Sequence, residues 1–352
     1  MTSLYITESG SFIKRRGGHV VIGRNNETLM EVPLERVEDV SVIDSVQISS
    51  ELITEFLKRG VPVTWLSGYG RYFGTLISTQ TTDIAKQQKQ FEWIGEKTFY
   101  LALAEKIIHA KTNNQLVLLK RYARNAQEGL IDLQIKNIRA IRRNINTAKT
   151  SAELMGYEGI ISRLYFEALG KLVPEEFSFT KRSKQPPLDP FNAMLGLGYS
   201  MLFNEIMSNI MSIGLHPFVG CLHSIAKGHP ALVSDLIEEW RSPIIDSMVL
   251  ALVKRHSIDT SAFDTSDKGC FLNYEGRKLF LARYNAKIRT VNQCIYLGHR
   301  RTKRARLYYS VKNTEKNSSK IKKYYAKIIC AYRNSIPSAN KQLKLCACFV
   351  TI

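Results

Sequence analysis

The sequence predicts an α+β chain: a small β domain with one helix, followed by a wholly helical segment. Two observations carry this. Over residues 1–78 short apolar runs alternate or repeat with a strand period, broken by turn residues. From Thr82 onward the apolar spacing changes to i, i+3, i+4, the signature of helices with one buried face.

Within the β domain, strands are expected at Ser3–Thr7, Ser11–Arg15, His19–Ile22, Leu29–Val32, Val37–Ile43 and Val46–Ile48. Arg24-Asn-Asn-Glu27 reads as a hairpin turn. Ser49–Arg59 reads as an amphipathic helix, capped by serine and stopped by Gly60. Val61–Leu66 and Tyr72–Ile77 follow as strands around Gly68-Tyr-Gly70.

Beyond Thr82 a first long helix is expected over Ile84–His109, with Phe91, Ile94, Thr98, Leu101, Ala104, Ile107 and Ile108 on its stripe. Others are expected at Asn114–Glu128, Leu130–Asn144, Ser151–Leu169, Pro190–Met211, Leu232–His256 and Leu279–Tyr296. Phe177–Pro190, rich in basic residues, serine and proline, reads as a mobile loop close to ligand. The domain bounds that follow are 1–78 for the β domain, 79–99 for a linker and first helix, 100–299 for the helical domain, and 300–352 for a basic tail. No internal repeat is visible.

Composition narrows the class. The chain has 352 residues, 44% hydrophobic and 23% charged, which is ordinary for a globular protein. No apolar stretch approaches the roughly 18 residues of a membrane span, and the polar N-terminus does not resemble a signal peptide. Six cysteines without scaffold spacing point to free thiols and a reducing cytoplasm. The net charge of +19 is unevenly spread: residues 296–352 hold 14 Lys/Arg against the single acid Glu315, while residues 1–78 hold 8 against 9 Asp/Glu. That asymmetry favours a polyanionic partner gripped by the C-terminal half, with a solubilising tail as the alternative.

Three segments carry chemistry: Met155-Gly-Tyr-Glu-Gly159, Gly214-Leu-His-Pro-Phe-Val-Gly-Cys-Leu-His223 and Ser234-Asp-Leu-Ile-Glu-Glu-Trp-Arg241. Glu158, His223 and Glu238 are oxygen and imidazole donors, suited to Mg²⁺ or Mn²⁺ rather than zinc. Cys221 and His223 have no partner pair at zinc spacing. Gly156 and Gly159 each cost a helix roughly 1 kcal/mol relative to alanine, so something is expected to approach the backbone beside Glu158. Asp235, Glu238 and Glu239 share one helical face; either a cation neutralises them, or Arg241, Lys227 or Lys254 pairs with them. Taken singly, a surface glutamate and an ordinary histidine are the commoner fates of such residues, and spacing alone cannot join Glu158 to His223.

Leu154-Met-Gly-Tyr-Glu-Gly…Arg163-Leu-Tyr-Phe-Glu167, Pro186-Pro-Leu-Asp-Pro-Phe-Asn-Ala-Met-Leu195, Gly198-Tyr199, Gly214–Ser224 and Ala231–Arg241 together resemble the CRISPR-associated endonuclease/integrase, the larger of the two spacer-acquisition proteins. Lys106-Ile-Ile-His-Ala-Lys-Thr-Asn-Asn-Gln115 and the N-terminal strand pattern resemble it too, so that the likeness covers roughly residues 3–298. It implies a β-sandwich-like N-terminal domain that dimerises and an all-α catalytic domain. It also implies metal ligands at Glu158, His223 and Glu238, with Asp235 as a possible further one. Many family members carry aspartate where Glu238 stands. The implied partners are double-stranded DNA (a foreign duplex and the repeat array), a second copy of the chain, and a dimer of the small CRISPR-associated protein. The implied reaction is attack of a DNA 3′-hydroxyl on a phosphodiester of the repeat. A catalytically degenerate DNA-binding scaffold is the alternative from another class; a basic RNA-binding protein would leave the acidic cluster unexplained. The tail matches no ending of that family.

Overall fold

The structure, a computed structural model, describes residues 2–68, 70–289, 291–293 and 300–302. Apart from 300–302, the basic tail lies outside the described residues.

Two four-stranded sheets form the N-terminal domain. One has the order β1 (Thr2–Ile6), β5 (Val37–Ile43), β7 (Val63–Leu66), β8 (Tyr72–Leu76), parallel except for β8. The other has the order β4 (Glu27–Pro33), β3 (His19–Arg24), β2 (Ser11–Arg16), β6 (Val46–Ile48). Asn25 and Asn26, at φ 50° and 66°, turn the β3–β4 hairpin, a conformation that asparagine tolerates better than most residues. Leu4, Ile6, Val40, Val42 and Val63 of the first sheet pack with Ile13, Val20 and Ile22 of the second and with Leu52 and Phe56 of α1 (Ser50–Arg59). The caps of α1 are those expected: Ser49 Oγ accepts from the Leu52 N–H at 3.3 Å, and Gly60 takes φ 67°.

Alternate residues of the first sheet face the other way. Tyr5, Ile43 and Leu66 belong to the core of the helical domain, so this mostly parallel sheet is covered on both sides. Arg277 Nη1 donates to the Gly68 carbonyl at 2.8 Å and ties the two domains together at the sheet end.

The helices are α2 (Ile84–Gly95), α3 (Lys97–Ala123), α4 (Asp132–Asn144), α5 (Ser151–Leu172), α6 (Pro190–Ser212), α7 (Ala231–Trp240), α8 (Ser247–Lys254) and α9 (Tyr274–Arg289). Long α6 is the hub: Phe191, Met194, Leu195, Leu202, Ile206 and Ile210 are among its buried residues. Four expectations need correction. The helix drawn over Ile84–His109 breaks at Glu96, whose ψ of 99° is extended, and then runs unbroken through Thr112 and Asn114 to Ala123. Burial overrides low propensity there: Thr112 is fully buried, and its hydroxyl donates back to the Ile108 carbonyl at 2.8 Å. The helix expected over Leu232–His256 is α7 and α8 joined by a π-helical segment, Arg241–Asp246. The helix expected over Leu279–Tyr296 begins earlier, at Tyr274, and ends at Arg289. A hairpin, β9 (Phe263–Ser266) with β10 (Gly269–Leu272), was not anticipated.

The loop before α6 is irregular as expected, but it is tied down. Asn192 Nδ2 donates to the Lys181 carbonyl at 2.9 Å, Arg182 Nη1 donates to Asn192 Oδ1 at 2.8 Å, and Phe179 stacks on Phe191 at 4.9 Å. No helix among the described residues is long and apolar enough to cross a membrane.

Candidate functional site

Helix α3 packs against both α5 and α7, and one side chain from each meets at a single point. The Lys111 ammonium, from α3, pairs with Glu158 Oε1 of α5 and, at 2.6 Å, with Glu238 Oε2 of α7. Ser162, one turn along α5, donates to the same Glu158 oxygen at 2.7 Å. Arg241 pairs with Glu238 Oε1, so one of the candidate salt-bridge partners read from the sequence is used. Apart from its ion pair with Lys111, Glu238 Oε2 has no hydrogen-bond partner among the described residues. Gly156 and Gly159 face open space, with no atom of the described residues within 4 Å of where a Cβ would stand, so the close neighbour expected there is not among them.

His223 is set by a different device. The buried Asp235 carboxylate on α7 accepts the backbone N–H groups of Cys221, Leu222 and His223 at 2.5, 3.0 and 2.8 Å, and the His223 ring at Nδ1, also 2.8 Å. This captures the loop and orients the imidazole with Nδ1 donating to the carboxylate, which leaves Nε2 outside that hydrogen bond. Asp235, read from the sequence as a possible ligand, has both oxygens committed to the loop and the His223 ring. Gly220 allows the approach: a Cβ there would lie 2.6 Å from Asp235 Oδ2 and from the Ala231 backbone. Gln90 of α2 holds the loop's other end, donating to the His216 and Val219 carbonyls and accepting the His216 N–H. The Cys221 thiol is buried and pushed well up by that burial, an inert sulfur.

Neighbouring acids diverge. Burial works to raise the Glu238 carboxyl, but Arg241 and Lys111, helped by His223, outweigh it and hold it down at about 2. Burial without such partners lifts Glu239 to about 7. Glu158, His223 and Glu238 do not form a ready three-ligand cluster; no group of three His, Cys, Asp or Glu among the described residues does. The Lys111 ammonium neutralises the two carboxylates instead. The donor set still suits a divalent cation, because the ammonium stands at the oxygens that such an ion would take and His223 Nε2 carries no hydrogen bond among the described residues.

Beside this point lies a second buried network. Asp246 accepts from Tyr165 and Tyr199, each at 2.6 Å, and burial raises its carboxyl. Arg182 and Arg241 lie over the Tyr199 ring at 5.3 and 5.1 Å. Pro243 cannot donate to the Glu239 carbonyl four residues back; Asn114 Nδ2 of α3 does so instead, at 2.8 Å. Asn114 is one turn from Lys111, so the same contact holds the lysine over α7.

The family described as CRISPR associated protein Cas1 matches residues 4–286. The chain belongs to the Cas1 family. It is 33% identical over 299 residues to the CRISPR-associated endonuclease Cas1 3 of Thermus thermophilus, covering 84% of this chain and 88% of that protein. Its fold is that of a casposase bound to integration product (TM-score 0.81, 22% identity, 93% of this chain and 91% of that one). The fold also recurs in a Cas6-RT-Cas1–Cas2 complex (TM-score 0.76, 21% identity, 94% of this chain and 35% of that one).

For this Cas1 chain, reading the sequence missed Lys111, Asn114, Ser162 and Asp246 as members of the site. The segment Lys106–Gln115 was visible as a family-like stretch, but a lysine inside a helix carries no sign of facing two acids on other helices. Asp246 and Tyr165 are 81 residues apart and meet only through burial.

Proposed function

We propose that the chain is a metal-dependent DNA endonuclease/integrase that joins short foreign DNA to a CRISPR repeat array. The observation that supports this best is the pair of acids, Glu158 and Glu238, brought from separate helices onto one cation, beside a histidine oriented by Asp235. With Mg²⁺ or Mn²⁺ bound by Glu158, His223 and Glu238, the site would gain a Lewis acid for the scissile phosphate. The chain's own contribution is to hold those donors, to present His223 through Nε2, and to surround the phosphate with Lys111, Arg241, Arg182 and Lys184. In the joining step the 3′-oxygen of the incoming strand forms a bond to a repeat phosphorus, and the phosphorus–oxygen bond to the displaced strand breaks. The departing oxygen takes up the proton that the attacking hydroxyl releases, and no energy source is consumed.

The proposed partners are duplex DNA, a second copy of the chain through the sandwich domains, and the small Cas2-type protein, as the named complex among its fold neighbours suggests. The test is strand transfer into a supercoiled repeat plasmid with the small partner present. Glu158→Ala and His223→Ala should abolish joining while dimerisation and most DNA affinity persist, since many Lys and Arg contacts carry the binding. Joining at the wild-type rate by both variants would overturn the site. A wild-type chain that binds DNA but never joins ends in either metal would favour the scaffold.

A further inference from the structure

Lys111 is an unusual neighbour for two prospective metal ligands. Its side chain is only 6% exposed, and its single ammonium faces one oxygen of each acid. Arg241 cannot replace it, because the guanidinium takes Oε1 of Glu238 while Lys111 takes Oε2. Two carboxylates then face two fixed cations, and the group is neutral. A dication added to that arrangement meets Lys111 at the very oxygens it needs.

We propose that Lys111 is a built-in counter-ion that holds Glu158 and Glu238 together without metal and must leave them before a divalent cation binds. This rests on the metal-site reading above. Metal affinity in the free protein is then set by competition with the lysine, and loading exchanges one cation for another. The helix positions survive the exchange, because Asn114 and the α3 packing fix the lysine's backbone while its four-carbon stem can swing. With a dication between the acids and the ammonium moved aside, the group changes from neutral to a charge of 2+, which favours an anionic phosphate. A purely structural salt bridge makes a different prediction: its loss lowers stability and leaves metal affinity unchanged.

The test uses the full chain without DNA, so that activity plays no role. Lys111→Met keeps most of the stem's volume and removes the charge. Titrated with Mn²⁺ and followed by electron paramagnetic resonance, it should bind at least about tenfold more tightly than wild type, since a like charge beside the ion is gone. Lys111→Arg should stay close to wild type. In the wild-type chain, Mg²⁺ should raise acetic anhydride labelling of Lys111 severalfold, read by mass spectrometry; this decides the matter if Lys111→Met does not fold. Equal or weaker Mn²⁺ binding by a folded Lys111→Met, or labelling unaffected by Mg²⁺, would overturn the exchange and leave the metal site standing. Mn²⁺ binding to neither protein would overturn both.

Discussion

Asp235→Asn isolates the component of the site that orients without touching substrate. The substitution keeps shape and burial but turns one oxygen into an NH₂ group. In the native chain one oxygen, Oδ2, accepts from the Cys221 and Leu222 N–H groups, and Oδ1 accepts from the His223 N–H and the His223 ring. Whichever way the amide turns, it sets its donors against two donors and loses two charge-assisted bonds. Such bonds contribute about 1.5–3 kcal/mol each, so the combined loss should be on the order of 3–6 kcal/mol. His223→Ala, by contrast, removes one bond of the four and should cost about 1.5–3 kcal/mol. Urea unfolding of the metal-free chain checks the ordering, and ¹⁵N-resolved histidine spectra check the cause: His223 should be an Nδ1–H tautomer in the wild type and should lose that preference in Asp235→Asn. If His223 is a metal ligand as proposed, joining activity should fall roughly 10–100-fold, the usual consequence of losing a carboxylate behind a ligand histidine. If Asp235→Asn unfolded at the wild-type urea midpoint with the His223 tautomer unchanged, the aspartate would not be holding the loop.

Glu238 makes stability depend on acid. Its folded-state value, about 2, lies below its ordinary 4.5, so its contribution is complete above pH 4.5 and is lost as pH falls from 4.5 towards 2. That difference is worth about 3 kcal/mol at neutral pH, and Glu238→Gln should flatten this stretch of the stability–pH curve; an unaltered slope would show that the carboxyl is not held down. Tyr165→Phe removes a donor to the buried Asp246 and should cost about 1–3 kcal/mol in thermal or urea unfolding; no change in midpoint would mean that Asp246 is satisfied without it. Gly198→Ala would place a methyl 2.5 Å from Ile245 Cγ2 at the α6–π-segment contact and should cost about 1–3 kcal/mol by overpacking, whereas an unshifted midpoint would show slack there.

Elements defined by local physics were readable in advance. β5 and β6 fall on the predicted residues, Val37–Ile43 and Val46–Ile48, because their apolar pattern and flanking turns are self-contained. α1 is likewise written in its caps, Ser49 and Gly60. Elements decided by distant neighbours were not. Gly95 is the one local sign of the break at Glu96, but the apolar stripe runs straight across it; Thr112 looks like a helix end until its burial is known, and β9 and β10 are four residues each. At the site, the residue types were visible and the meeting of the two acids was not: Glu158, His223 and Glu238 were singled out with the help of family likeness, while Lys111, which pairs with both Glu158 and Glu238, depends on a three-helix junction. The role expected for the tail concerns residues outside those described, apart from 300–302.

The widened turn at Arg241–Asp246 also sets an angular relation. In a regular helix each residue advances by about 100°, so positions eight apart, such as 238 and 246, would diverge by about 80°. Absorbing one residue makes them equivalent to positions seven apart, about 20° from alignment, and Arg241 can serve both acids from between them. The segment therefore behaves as ordinary helix carrying one spare residue. Excising Pro243 should restore regular winding, keep Glu238 and Asp246 in phase, and give the Glu239 carbonyl a donor from its own helix. On that background Asn114→Ala should lose its cost in unfolding experiments, because the side chain from α3 would no longer be closing a gap in α7. An added residue should do the reverse and swing one acid away from the other, so this stretch should tolerate shortening far better than lengthening.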